Sequence, residues 1–185
     1  MLYSQISTIS KKKMVKAIPE GYHSITPYLI VHDAANAMEF YKRAFGAEER
    51  YRHFGGPDGK SIINAELKIG DSIILLSDEF PMGKCRSPKS IGGSTAMMHI
   101  YTEDADRVFN QAISAGADAI MPVTDMFWGD RYGQIIDPYG HIWSVATHKQ
   151  DLSQEEIQRA GEAVFKEMMS SPSSTSTSTT TTKAQ

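Results

Sequence analysis

Apolar and polar positions along the chain fall into two successive series that share one order of periods. In the first, residues 22–31 read as a strand, after which residues 34–45 change to helical spacing, with Ala37, Met38, Tyr41, Ala44 and Phe45 on one face. Asp33 stands where an N-cap is needed and Gly46 where the helix must stop. Three further strand-like runs follow, at residues 48–54, 61–69 and 72–77, separated by Gly55-Gly56-Pro57-Asp58-Gly59 and by Gly70-Asp71. The order is βαβββ.

The second series starts after residues 78–95, whose Pro, Gly, Lys and Ser content predicts a connection. Residues 97–102 read as a strand, Glu103 or Asp104 as a cap, and residues 105–115 as a helix with Val108, Phe109 and Ala112 apolar and Gly116 at its end. Strands are predicted at 119–123, 132–136 and 141–147, the last two joined by the turn Asp137-Pro138-Tyr139-Gly140. Gly46-Ala47 recurs as Gly116-Ala117 and Gly70 as Gly140, at a spacing of about seventy residues, so the chain carries an internal repeat. Beyond it, residues 152–169 predict a helix: Ser153 and Glu156 fit a capping box, and Ile157, Ala160, Val164 and Met168 form an apolar stripe. The expectation is an α+β fold of two βαβββ modules, at about 22–77 and 97–148, within a domain spanning 18–149, plus a C-terminal helix within 150–169.

Composition narrows the class. The 185 residues are 41% hydrophobic, enough for a packed core, and the net charge of −3 argues against a broad nucleic-acid surface. One cysteine, Cys85, excludes an internal disulfide framework and favours a reducing, cytoplasmic setting, while no apolar run approaches the length that crosses a bilayer. Residues 1–17 are rich in Ser, Thr and Lys; a transit peptide is one reading, but the missing arginine and the Met14–Pro19 run favour an extended N-terminus. Both that segment and the Ser/Thr-rich tail at 170–185 are expected to be disordered.

The run WGDRYGQIIDPYGHIW and the helix DAANAMEFYKRAFGA resemble the vicinal oxygen chelate superfamily, the glyoxalase/bleomycin-resistance/dioxygenase group, and within it the PhnB-like branch, over about residues 18–149. The resemblance implies sheets that curl into a cup-shaped half-barrel with the ligand on its inner wall, and pairing of chains into a homodimer. In metal-dependent relatives, four inward residues on the first and last strand of each module hold a divalent ion. Carried across, these positions fall at Thr26, Ile74, Met97 and Ser144, and a one-residue slip gives Ile25 or Pro27, Leu75, Met98 and Val145. Neither set supplies the imidazole, carboxylate or thiolate donors such an ion needs. No metal or other cofactor is therefore expected, with a displaced divalent site as the alternative.

Candidate ligand-facing residues come from strand alternation and loop chemistry. Tyr28 shares a face with Thr26 and His99 with Met97, Glu66 sits mid-strand, and the segment 127–131 leads into Tyr132. We expect Tyr28, Glu66, His99, Trp128, Arg131 and Tyr132 to meet ligand, with no catalytic residue identified. Scaffold roles compete at each: His99 as a hydrogen-bonded strand residue, Glu66 pointing outward, and Asp130 and Arg131 pairing with neighbours to hold their loop. Cys85, beside Lys84 and Arg86, has no identifiable base. Two functions remain: sheltering a small organic molecule without metal, or metal-dependent lyase, isomerase or dioxygenase chemistry through displaced ligands.

Overall fold

Each helix is cut from the chain by the residues at its ends. In the computed structural model, which describes residues 15–56 and 59–170, Asp33 accepts a hydrogen bond from the Asn36 amide and opens α1 (Ala34–Phe45); Gly46 closes it in the left-handed region at φ 66°. Asp104, accepting from Arg107, and Gly116 do the same for α3 (Ala105–Ala115). The expected disorder of both ends and the Pro57-Asp58 part of the first turn lie outside the described residues, except for short stretches beside them.

The first module is β1 (Tyr28–Val31), α1, β2 (Glu48–Gly55), β3 (Ser61–Ile69) and β4 (Ser72–Asp78), and its sheet runs β1-β4-β3-β2 with β1 and β4 parallel. The short helix α2 (Pro88–Ile91) follows. Then β5 (Met97–Tyr101), α3, β6 (Asp118–Asp125), β7 (Asp130–Ile136) and β8 (Ile142–His148) repeat the pattern in the order β5-β8-β7-β6. Helix α4 (Gln154–Ser170) starts at the capping box, with the Ser153 amide donating to Glu156 at 2.8 Å and the Glu156 amide to the Ser153 hydroxyl at 3.3 Å. None of the described helices is long and apolar enough to cross a membrane.

Three expectations are corrected in detail. The first strand begins at Tyr28, not at residue 22, because residues 19–27 leave the ladder, their backbone reaching it only where the Pro27 carbonyl accepts from the Leu75 amide at 2.9 Å. The connection 78–95 contains α2, whose Ser87 cap and Pro88 at the first turn are a start signal. Asp130 and Arg131 belong to β7 rather than to the preceding loop.

Each sheet has a buried face and an open one. Leu29, Val31, Ala65, Leu67, Ile74 and Leu76 turn toward α1; Ile135, Trp143 and Val145 turn toward α3. The modules meet mainly through the two helices, so the layers run sheet, helices, sheet around one core, and the sheets do not close into a barrel within the chain. Tyr41 and Phe45 of α1 reach across to Trp143 of β8, with ring centroids 5.3 and 4.6 Å apart. Each sheet therefore packs one face on the helix layer and leaves its other face off it.

Candidate functional site

The outer face of the second sheet is built from alternate residues of β5, β8 and β7. Register places His99 beside Ser144, Tyr101 beside Ala146, Tyr132 beside Ala146 on the other side, and Gln134 beside Ser144. Met97 and Tyr101 are exposed at 44% and 63%, as an unpaired edge strand allows. Ring contacts knit the surface into one wall: His99 stacks on Tyr132 at 5.9 Å and meets the edge of Tyr101 at 4.6 Å, and Trp128 stands edge-on to Tyr132 at 5.5 Å.

Asp130 organises this wall from beneath. Its carboxylate is buried and accepts from the Tyr101 hydroxyl and the Trp128 indole N–H, each at 3.1 Å, and pairs with His148 Nδ1 at 2.8 Å. His148 reaches on through Nε2 to Asp151 at 3.0 Å; Asp151 and then Asp130 hold its imidazole above the ordinary histidine range. Burial, together with the Asp130 carboxylate, raises the Tyr101 phenol. With Tyr101 and Trp128 donating inward, the wall offers ring faces and edges, the Met97 thioether and the Nε2 side of His99, whose Nδ1 lies 2.7 Å from the buried Ser144 hydroxyl. A serine of the outer face that is fully covered beside a histidine orients the ring and is not placed to attack a substrate.

Arg131 stands apart from this set. Adjacent strand residues point to opposite faces, and Arg131, opposite Thr147 in the ladder, turns to the helix side. There its guanidinium binds Asp106 of α3 through two nitrogens and Asp125 of β6 at 3.1 Å, and these carboxylates push it further above its already high range. Asp130 and Arg131 are therefore not partners of each other.

The first sheet presents Tyr28 and Glu66 on its outer face. The Tyr28 hydroxyl donates to Asn64 at 3.3 Å, and the Asn64 amide donates to Tyr51 at 2.9 Å. Glu66 is buried, held by the Tyr22 hydroxyl and by Arg50 at 3.0 Å. Thus Tyr28 and Glu66 share one wall and His99, Trp128 and Tyr132 another; the chain does not bring the two groups together. A cleft of about 1070 Å³ separates the modules along the β5 edge, lined by Thr26, Phe45, Ile74, His99, Arg107 and Trp143 among others.

The four expected metal positions scatter on this frame. Thr26 precedes β1, Met97 and Ser144 lie on the outer wall, and Ile74 points to the helices opposite the buried Leu67, which leaves Leu75 as the outward residue of β4. Thr, Leu, Met and a buried Ser do not form a divalent site, and among the described residues no three His, Cys, Asp or Glu side chains converge on a point that could hold one.

Tyr101, Gln134 and His148 were not among the expected ligand-facing residues, and Asp130 was expected only to pair with neighbours in its loop, although Tyr101 shares strand parity with His99 and His148 stands opposite Asp130. The profile of the Glyoxalase/Bleomycin resistance protein/Dioxygenase superfamily matches residues 21–145, a span that holds both modules. The chain belongs to this superfamily. Its relatives include an uncharacterized protein of Mycobacterium bovis, 41% identical over 140 residues that make up 74% of this chain and 91% of that one. A gene product of Arabidopsis thaliana of known structure is 27% identical, with a TM-score of 0.56 over 68% of this chain and 98% of that one. A PhnB protein from Bacillus cereus shares the superfamily fold at 19% identity, with a TM-score of 0.54 over 68% of this chain and 99% of that one.

Proposed function

We propose that the protein binds a small organic molecule with aromatic character on the wall formed by Met97, His99, Tyr101, Trp128 and Tyr132, without a metal at the superfamily position. The supporting observation is the buried Asp130 carboxylate, which turns the Tyr101 and Trp128 donors inward and leaves their ring surfaces outward. Such a surface rewards stacking and edge contacts more than ionic ones. Tyr28 and Glu66 extend the reading to the first sheet, while Arg131, committed to Asp106 and Asp125, is left out of the ligand set.

The assembly that suits this reading is a homodimer. One chain offers each ligand a single four-stranded wall, and the free edges β1 and β5 are where a second copy can set its own sheet beside it and turn two walls into a cup.

A fluorescence titration with planar aromatic compounds such as quinoline tests the site. Quenching of Trp128 should saturate, and Tyr101→Ala should weaken the affinity by roughly three- to tenfold, the scale of one lost aromatic contact. Equal affinity in a folded Tyr101→Ala protein would overturn the assignment, as would one equivalent of tightly held zinc, nickel, manganese or iron on this wall.

A further inference from the structure

Residues 19–27 form a strap across the outer face of the first sheet. A turn closed by the Tyr22 amide on the Pro19 carbonyl at 3.1 Å sets Gly21 at φ 83°, where even an added Cβ would meet Ile73 Cδ1 at 3.3 Å and an Arg50 nitrogen at 3.4 Å. Tyr22 then lowers its phenol onto Glu66. Past it, His23, Ser24 and Ile25 are exposed, and the strap is next tied to the sheet only at Pro27. The Glu66 side chain is 5% exposed mid-sheet on the outer face, where Tyr28 two strands away stays open to solvent, and Tyr22 of the strap lies over it as its hydrogen-bond donor.

We propose that Glu66, flanked by Arg50, is an acceptor subsite for the hydroxyl of a phenol-like ligand, and that the chain's own Tyr22 occupies this subsite as an internal stand-in. The proposal rests on reading the outer faces as binding walls and names the chemistry of the first one. A carboxylate whose oxygens are divided between one guanidinium and one phenol is built to receive a donor. Holding a strap alone would not require burying a charge, since a neutral acceptor serves without that cost. The charged acceptor makes the stronger hydrogen bond and selects donors over anions. Tyr22 responds as the donor should: its hydrogen bond to Glu66, with burial adding to it, pushes the phenol up to about 12. With a single side-chain tie and exposed residues behind it, the strap can swing away when a competing hydroxyl arrives.

The test uses p-cresol, the free equivalent of the tyrosine side chain, titrated by calorimetry into the full-length protein. Tyr22→Ala should bind p-cresol roughly tenfold more tightly than the wild type, whose subsite is filled, and should reject p-toluate, which presents a carboxylate to Glu66. Adding Glu66→Leu should erase the gain; Glu66→Gln, closer in shape, serves where the leucine variant fails to fold and should reduce it severalfold. If p-cresol binds Tyr22→Ala no better than the wild type, or binds equally well once Glu66 is replaced in a folded protein, the subsite does not exist. Either result leaves the quinoline titration of the second wall standing, whereas failure of that titration alone would move the binding site to the first module.

Discussion

At the scale of single residues, three buried carboxylates, Glu66, Asp130 and Asp137, do most of the organising, and each does so by collecting donors. Asp137 accepts from the Tyr41 hydroxyl at 2.8 Å, the Trp143 indole at 2.9 Å and the amides of Tyr139 and His141, each at 2.9 Å. Burial, reinforced by this carboxylate, raises the Tyr41 phenol well above its usual range, so Tyr41 stays a donor. Asp137→Asn would set an amide N–H₂ against donors; we expect it to cost roughly 2–4 kcal/mol, the scale of losing hydrogen bonds to a charged acceptor, measured by urea denaturation. A loss under about 0.5 kcal/mol would mean that water replaces these partners. The sequence made the Asp137-Pro138-Tyr139-Gly140 turn legible because turn chemistry is local, but Tyr41 lies 96 residues away and nothing local points to it. The same holds for Glu66: alternation gave it two possible faces, and only the strap decided which was covered.

At the scale of elements, helices and strands were legible wherever caps and periods agreed. Gly46 and Gly116 ended α1 and α3 where expected, and β3 matched its predicted limits, while β1 shrank because the residues before Pro27 leave the ladder. The misplaced element start that mattered was β7. Beginning it at Asp130 instead of Tyr132 turns Asp130 and Arg131 from loop neighbours into residues on opposite faces, and reassigns Arg131 from ligand to the α3–β6 side. Arg131→Ala should accordingly lower the melting temperature by roughly 1–3 °C, a modest effect because exposed ion pairs are screened, and leave the quinoline affinity unchanged. A folded Arg131→Ala protein with weakened quinoline binding would return the side chain to the ligand set. On β4 a one-residue shift exchanged Ile74 for Leu75 as the outward position, which changes the face and not the ligand chemistry, since neither side chain is a donor.

At the scale of the whole molecule, the internal repeat announced two like modules but not how they stack. The apolar period marks which face of a strand is buried; it does not say whether the two helices lie outside a cup or between two sheets, and here they lie between. We therefore expect light scattering at tens of micromolar to give twice the 20.5 kDa of one chain, through contacts along β1, β5 and the apolar residues that α4 leaves exposed, among them Phe165 and Met168. A mass of one chain would rule out the shared cup. The meeting of Tyr41 and Phe45 with Trp143 has a different consequence, for inheritance. The modules repeat each other in plan, yet Tyr41 and Phe45 of the first close over Trp143 of the second, so neither module finishes its interior with its own rings alone. Severed between β4 and β5, either half would expose rings that the intact chain keeps dry, and the two copies are now bound to change together.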